Sequence, residues 1–340
     1  GDTVYLTEGI YEFSASAIPA NHSEKTCGIQ MKPGVALVGA GAIKTTIDIK
    51  GFAFAAVIDA NNSVIEGVTI INSGSLAWRY VVLLESNSSK IKNCTIKGGA
   101  TGIHVGFGTS YTAVNAEISN NLIINNSQPG IWLESGNNTY IYNNTIASND
   151  SGGYGGIYGY IASANIVNNI IANNGIGVRS SDSPSTFKHN DVYGNGTNYT
   201  GSISNQTGTN GNISNDPSFV NVSSGDYRLN SGSSCINAGT NIGIPFDGGA
   251  PDMGAFEYNG AGMIQVTSNR PDASFTIKGP SGTYNDSGTS WSLSNLPIGI
   301  YTITFSPITN LYSPAYQAKM LYSGQTLTFN GTYQEDTAGP

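Results

Sequence analysis

The chain has few charged residues and no long apolar run. Only 11% of its 340 residues are charged, and 14 Lys and Arg against 22 Asp and Glu give a net charge of −8. Nucleic acids and anionic membranes bind basic patches, so neither is expected as a partner. No run of about 18 apolar residues occurs, and the chain opens on Gly1-Asp2-Thr3 without a basic, apolar leader. The sequence therefore predicts neither a membrane span nor a signal peptide within itself.

The residues that build most metal and redox sites are also scarce. The cysteines are odd in number and lack Cys-x-x-Cys spacing, which indicates neither a disulfide framework nor a zinc site. They are Cys27, Cys94 and Cys235. We place His22, His104 and His189 on different faces or coils, which disfavours a histidine metal site or a nucleophile relay. There is no phosphate-binding loop, dinucleotide fingerprint or serine elbow, so no cofactor is predicted.

What the chain does contain is a repeat. A polar-then-apolar hexapeptide returns six times at spacings of roughly 21 to 27 residues, first over residues 65–70 and last over residues 187–192. We assign the equivalent position to Gly67, Cys94, Asn121, Asn144, Asn169 and Asn190. A repeat of this length, rich in Gly, Asn and β-branched residues and without a helical period, predicts a parallel β-helix whose coils bury their apolar faces on one another.

The recurrent asparagines of this motif have a structural explanation. Asn tolerates the left-handed backbone that a tight bend requires, and its amide can hydrogen-bond the same amide one coil away, at about 4.8 Å. We therefore predict an asparagine column at one corner of the coils, with Cys94 as a small core residue in it. This column is expected to be structural rather than functional.

Asn-x-Ser/Thr triplets are frequent along the chain, which is compatible with a glycosylated extracellular or cell-surface protein. The alternative is that a composition rich in Asn, Ser and Thr produces such triplets by chance. The candidate glycosylation sites are Asn21, Asn87, Asn137, Asn198, Asn205, Asn285 and Asn330.

Residues 216–258 carry a second kind of signal. The segments Asp216-Pro217-Ser218-Phe219-Val220 and Asp252-Met253-Gly254-Ala255-Phe256 resemble the closing segment of right-handed parallel β-helix proteins of the pectin-lyase-like superfamily, of the choice-of-anchor surface type. Residues 1–11 resemble the opening strand of that family, without the short helix that normally precedes it. The resemblance implies a β-helix over residues 1–260 with a closing segment at 216–258. It is weak for chemistry, because the superfamily includes lyases, hydrolases, epimerases and proteins without activity.

The pattern changes after Gly260-Ala261-Gly262, a glycine-rich hinge. Alternating strands follow, and they predict a small antiparallel β-sandwich over residues 263–334, with residues 335–340 as a linker or tail. Within it, residues 294–303 resemble the turn of PEGA-type surface domains, which implies a spacer or binding module. The predicted fold class is thus all-β, a right-handed parallel β-helix followed by an Ig-like or PEGA-like sandwich.

Aligning the strands that follow the glycine turns separates inward from outward residues. The outward set is Asp59, Leu83, Glu85, His104, Trp132, Glu134, Tyr158, Tyr160 and Arg179. Sugar rings stack on Trp and Tyr while carboxylates accept hydroxyl hydrogens, so His104, Trp132, Glu134, Tyr158 and Tyr160 are candidates for glycan binding. The alternative is that these outward aromatic residues only pack coil on coil or lie under a long loop.

Catalysis requires more than such a set. Glu85 and Glu134, two coils apart at roughly 9.6 Å, could meet the geometry of an inverting glycoside hydrolase. A polysaccharide lyase needs a base, for which Arg179 is the weak candidate, and often Ca²⁺ held by several acids. Asp247, Asp252 and Glu257 could bind Ca²⁺, but their place in the closing motif favours a structural role.

Two functions from different classes follow. The first is a non-catalytic extracellular protein with a structural or adhesive role that contacts glycans. If Gly1 is the mature terminus, the uncapped first coil predicts head-to-tail or strand-donated self-assembly into fibres or a surface layer. The second is a secreted polysaccharide lyase or glycoside hydrolase acting in a surface groove. The expected partners are therefore the protein itself, a polysaccharide, or both.

Overall fold

The computed structural model describes ten ranges of the chain: residues 1–13, 26–50, 54–73, 80–108, 113–136, 138–150, 153–258, 260–280, 282–322 and 324–335. They divide into two compact units. The first comprises residues 1–242 and 252–256, and the second comprises residues 243–251 and 257–340. No described helix is long and apolar enough to cross a membrane.

The first unit is a parallel β-helix of three eight-stranded sheets, as the repeat predicts. Sheet A contains β1 (Thr3–Leu6), β4 (Ala36–Gly39), β7 (Val64–Glu66), β10 (Lys90–Lys92), β13 (Glu117–Ser119), β16 (Tyr140–Tyr142), β19 (Asn165–Val167) and β22 (Thr186–Lys188). Sheet B contains β2 (Gly9–Phe13), β5 (Thr45–Ile49), β8 (Thr69–Asn72), β11 (Thr95–Lys97), β14 (Leu122–Ile124), β17 (Thr145–Ala147), β20 (Ile170–Ala172) and β23 (Asp191–Tyr193). Sheet C contains β3 (Cys27–Gln30), β6 (Ala55–Ile58), β9 (Tyr80–Leu84), β12 (Thr101–Val105), β15 (Ile131–Leu133), β18 (Ile157–Gly159), β21 (Ile176–Ser180) and β24 (Thr197–Gly201).

Apolar residues of the strands point into the solenoid, and they stack from coil to coil. Ile91, Ile118 and Ile141 pair in register across sheet A, and each is fully buried. Sheets B and C contribute equivalent columns, for example Ile96 and Ile103, to the same core. β-Branched side chains suit this stacking because they pack well on a pleated surface and lose little rotamer freedom there.

The bend from sheet A to sheet B uses two residues with different tasks. The first has a left-handed backbone, with φ between 50° and 68°, at Gly67, Asn93, Asn120, Asn143, Asn168 and His189. The second turns its side chain into the coil. Our prediction gave both tasks to one residue and aligned Gly67 with Cys94, and it was wrong on both points. The register pairs Glu66 with Lys92 and Thr69 with Thr95, so Gly67 is equivalent to Asn93.

The predicted amide column exists and is formed by the second residue of each bend. The Nδ2 atom of Asn121 donates to Asn144 Oδ1 at 3.0 Å, Asn144 donates to Asn169 at 3.0 Å, and Asn169 donates to Asn190 at 3.0 Å. Asn190 donates in turn to Asn212 at 3.2 Å, which extends the column by one coil beyond the recognised motif. We call this set the first ladder.

A second ladder, which the sequence analysis missed, lies at the bend from sheet B to sheet C. The Nδ2 atom of Asn126 donates to Asn149 Oδ1 at 2.9 Å, Asn149 donates to Asn174 at 3.2 Å, and Asn174 donates to Asn195 at 3.0 Å. Glycines of sheet C make room for it: a Cβ on Gly130 would lie 2.9 Å from Asn149 Nδ2. Each of these asparagines follows one of the first ladder by five residues, a spacing visible in the sequence.

The closing segment packs against the outer face of sheet B. In it, β25 (Phe219–Asn221) and β26 (Asp226–Leu229) form an antiparallel pair around a 3-10 turn, Val222–Ser224. Tyr227 is buried against Leu122 and Ile124 of the solenoid. Farther along, the Ala255 backbone N–H donates to Thr145 Oγ1 at 3.0 Å. The segment thus covers outward apolar side chains that would otherwise be exposed.

The second unit is a small β-sandwich with its own apolar core, which includes Phe275, Tyr301 and Phe329. Its strands are β27 (Gly262–Ser268), β28 (Ser274–Gly279), β29 (Gly282–Ser287), β30 (Ser290–Leu296), β31 (Gly299–Phe305), β32 (Leu311–Tyr312), β33 (Gln317–Leu321), β34 (Thr326–Gly331) and β35 (Gln334–Glu335). Pairing is antiparallel except between β27 and β34, which run parallel. β29 lacks the alternating pattern of the other strands, because its Gly, Asn, Asp and Ser residues are typical of turns, yet it pairs with β28.

Candidate functional site

The outward residues of sheet C form one column that crosses seven coils. Adjacent strands place Ile58 beside Leu83, Leu83 beside His104, and His104 beside Trp132. The same register continues from Trp132 to Tyr158 and then to Arg179 and Thr200. We call these seven residues the outer column. The alignment that predicted His104, Trp132, Tyr158 and Arg179 on one face is therefore confirmed by the strand register.

The first half of the outer column is covered. Leu83 is fully buried in a cluster with Cys27 and Ile58, and Tyr80 and Phe54 pack against it. The Phe54 and Tyr80 rings meet edge to face, with centroids 5.0 Å apart. Burial, with a smaller contribution from the Glu134 carboxylate, raises the pKa of Tyr80 to about 12, so its hydroxyl stays neutral at physiological pH.

His104 marks the boundary of the covered part. Its side chain is 1% exposed and lies between the rings of Tyr80, at 4.4 Å, and Trp132, at 4.8 Å. Phe107 adds an edge contact at 5.9 Å. The Nε2 atom of His104 is 3.0 Å from Oε2 of Glu134, whose side chain is 34% exposed. The histidine thus lies beneath the surface, and the carboxylate beside it reaches solvent.

Beyond His104 the outer column opens. Trp132 and Tyr158 are half-buried, with ring centroids 5.5 Å apart, and Arg179 is exposed. The Arg179 guanidinium lies 5.7 Å from the Tyr158 ring centre, and its Nη1 donates to the Gly153 carbonyl at 2.6 Å. This pairs a cation with an aromatic face.

Tyr154 belongs to the same group, although the sequence analysis did not find it. Its ring stacks on Trp132 at 6.4 Å with 26° between the planes, and it meets Tyr158 edge to face at 5.3 Å. The Oδ2 atom of Asp150 accepts from the Tyr154 backbone N–H at 2.6 Å and from its two neighbours at 2.8 Å, which fixes the turn that carries the ring. Tyr154 comes from the loop before β18, which the strand alignment did not cover.

Two other residues of the predicted outward set differ from each other in burial. Asp59 was predicted on the surface but is 1% exposed, and its carboxylate accepts from the backbone N–H groups of Glu85 and Ser86 at 2.9 and 3.2 Å. Burial raises the pKa of this carboxyl, and the hydrogen bonds oppose that shift. Its role is to fix the next coil. Tyr160 is 60% exposed, one residue beyond the end of β18.

The candidate glycosylation sites differ in exposure. Asn87, Asn205, Asn285 and Asn330 are exposed, whereas Asn21 and Asn137 lie outside the described residues. Asn198 is half-buried, its Nδ2 donates to Ser214 Oγ at 3.2 Å, and its Oδ1 accepts from Asn195 at 3.0 Å. Glycosylation would attach a sugar to the Nδ2 atom that donates to Ser214, in a half-buried position, so Asn198 fits an acceptor least well.

The acids considered for Ca²⁺ belong to different units. Asp252 is 1% exposed and accepts from the Asn237 backbone N–H at 2.7 Å, which supports a structural role in the closing segment. Asp247 and Glu257 belong to the second unit. The described ranges contain no group of three or more His, Cys, Asp or Glu side chains placed to hold a metal ion.

The chain was compared with known proteins, known structures and family models. No curated protein matches the chain. Among solved structures, pectate lyase Pel9A is 15% identical, with a TM-score of 0.39 over 75% of this chain and 87% of that one. The A-module of mannuronan C-5 epimerase AlgE6 from Azotobacter vinelandii is 14% identical, with a TM-score of 0.31 over 57% of this chain and 68% of that one. A Geobacillus virus E2 protein, ORF18, is 12% identical, with a TM-score of 0.28 over 56% and 44% of the two chains. The family model described as right handed beta helix region matches residues 55–244, more than half of the sequence, and the chain belongs to that family.

Proposed function

We propose that this protein is an extracellular, non-catalytic β-helix protein that binds glycans on the open part of sheet C. The observation that carries the proposal is the in-register sequence Trp132, Tyr158, Arg179, with Tyr154 stacked on Trp132 and the Glu134 carboxylate beside it. We call these five residues the track.

The track combines the two properties that sugar recognition requires. Half-buried aromatic rings offer apolar faces for the C–H faces of a sugar. Contacts with neighbouring residues already restrict these rings, so ligand binding loses little further side-chain entropy. Glu134 accepts hydroxyl hydrogens, and Arg179 supplies a cation at the other end. A ligand that covers Trp132, Tyr158, Arg179 and Thr200 crosses three strand spacings, about 14 Å.

The proposal does not extend to catalysis. The Glu134 carboxylate lies 3.0 Å from His104 Nε2, and the Arg179 guanidinium donates to the Gly153 carbonyl and lies over the Tyr158 ring, so we assign both residues to binding. Glu85 follows β9, next to the covered half of the outer column. Burial, with a smaller contribution from the Glu85 carboxylate, raises the pKa of the Cys27 thiol.

The experiment is a binding panel by calorimetry. Cello-, chito-, galacturono- and mannurono-hexaoses are titrated into the wild-type chain, and Trp132→Ala, Trp132→Phe and Tyr316→Ala are compared with it for any hexaose that binds. Loss of the stacking ring is expected to weaken binding at least tenfold in Trp132→Ala and less in Trp132→Phe. Tyr316 is 63% exposed in the second unit and serves as a matched surface aromatic. Binding to no hexaose, or equal binding by Trp132→Ala and wild type, would rule the proposal out.

Extracellular location and self-assembly stay predictions. Size-exclusion chromatography and negative-stain microscopy of the purified protein, without added glycan, test assembly: fibres or sheets would support it, and monodisperse monomers would count against it.

A further inference from the structure

The outer face of sheet C changes abruptly from covered to open. Residues paired in register on neighbouring strands point to the same face of a sheet, so Ile58, Leu83 and His104 project outward as Trp132 does. Yet all three are 1% exposed or less, whereas Trp132 and Tyr158 are half-buried and Arg179 is exposed. Other parts of the chain therefore lie over the first half of this face.

Phe107 is one of the residues that cover the outer column at His104. It follows β12, packs against the buried cluster of Cys27 and Leu83, and contacts both Phe54, at 5.6 Å, and His104, at 5.9 Å. These contacts connect it to neighbours on both sides, so moving it would separate several packed rings. Phe107 and the buried cluster therefore lie next to the His104 end of the track, and we call them the wall. At the other end the outer column continues through Arg179 and Thr200.

From this geometry we infer, given the proposed glycan binding, that the track receives the terminal sugar of a glycan chain rather than an internal segment. A polymer lying along the column would meet Phe107 and the cluster behind it after passing Trp132. A chain end would stop there, with its terminal ring on Trp132 and its hydroxyls beside the Glu134 carboxylate. The ligand class is thus an oligosaccharide or polysaccharide recognised by a free end.

Binding stoichiometry as a function of chain length tests this inference. For the hexaose that binds in the panel, the 6-mer, 12-mer and parent polymer of the same sugar are titrated into wild type. End recognition predicts that one protein binds each glycan chain at every length. It also predicts that the molar dissociation constant differs by no more than about twofold between the three lengths. Two chemical changes each block one end of the glycan: reduction of the reducing sugar and methylation of the non-reducing sugar. We expect the one that blocks the bound end to weaken binding at least tenfold.

Two outcomes separate this inference from the proposed function. If the number of proteins bound per glycan rises in proportion to chain length while Trp132→Ala still abolishes binding, the track binds glycan but not by its end, and the inference fails alone. If nothing in the panel binds, the proposed function and the inference fall together. Phe107→Ala provides a further check: with a melting temperature near that of wild type, it is expected to raise the number of proteins bound per 12-mer. Unchanged end recognition in a folded Phe107→Ala protein would show that Phe107 is not the wall.

Discussion

Replacing Asn144 with alanine should destabilise the solenoid far more than its size suggests. The carboxamide is fully buried, and its Nδ2 donates to the Ile118 carbonyl at 2.8 Å and to Asn169 Oδ1 at 3.0 Å. Its Oδ1 accepts from the Asn121 backbone N–H at 2.9 Å. Alanine removes these partners from a buried carbonyl and a buried N–H, and each loss costs about 1–3 kcal/mol. We therefore expect a loss of about 2–6 kcal/mol in the free energy of unfolding.

Urea denaturation followed by circular dichroism measures this loss, with Asn205→Ala as the control. Asn205 is exposed, and surface substitutions of this kind usually change stability by about 0.5 kcal/mol or less. Asn144→Asp, an isostere, removes the donor and, at neutral pH, adds a buried negative charge. It retains an acceptor for Asn121, but at neutral pH it cannot donate to Ile118, and its stability should partly recover as acid protonates the new carboxyl. If Asn144→Ala cost no more than Asn205→Ala, the ladder would not stabilise the fold as argued.

Three further predictions concern other parts of the solenoid. The Sγ atom of Cys94 lies 3.8 Å from the Ile65 carbonyl, the equivalent of the carbonyls to which the ladder amides donate. Cys94→Asn should therefore add a ladder hydrogen bond and raise the urea midpoint. A lower midpoint would show that this corner lacks the space for an asparagine side chain. Burial raises the pKa of Asp191 to about 6, so its ionisation opposes folding. Stability should fall as pH rises from about 4 through 6, by up to about 3 kcal/mol from this group, and thermal melts of Asp191→Asn should lose that part of the pH dependence; an identical pH profile would refute the assignment. In Gly130→Ala the new Cβ would lie 2.7 Å from Ile146 Cγ2 and 2.9 Å from Asn149 Nδ2. We expect the free energy of unfolding, measured by urea denaturation, to fall by about 1–3 kcal/mol. A wild-type midpoint would mean that the second ladder can shift to make room for the methyl group at little cost.

The solenoid was predictable because its repeat is a local signal with a direct physical cause. Each Ile of the hexapeptide becomes one layer of the core, and each Asn-Asn pair becomes one bend. The division of labour within the pair was not predictable from spacing alone, since Asn143 and Asn144 are chemically identical and only backbone conformation separates them. The second ladder was within reach, because its members follow the first at a constant interval.

The candidate site was only half predictable for a related reason. Strand alternation gave Trp132, Tyr158 and Arg179 correctly, because period-two geometry decides which way a strand residue points. It could not show that Leu83 and His104, which obey the same alternation, are covered. Burial of an outward side chain depends on loops packed over the sheet, and contacts such as that between Phe107 and Phe54 join residues far apart in sequence. Tyr154 was not predicted for the same reason, because a loop and not a strand positions its ring.

The second ladder and the track are structurally connected through the glycines that precede the track residues. Gly130 and Gly156 each lie two residues before a track residue, Trp132 and Tyr158, and a Cβ on either glycine would crowd an amide of the second ladder at 2.9 Å. Backbone hydrogen bonds of the sheets set the rise from coil to coil, and the stacked asparagine amides follow that rise at the bend before each track strand. The glycines let the chain approach these amides closely. The repeat therefore determines where the rings lie along the solenoid. The residues outside the repeat, Phe107 and Tyr154 above all, determine what can reach them.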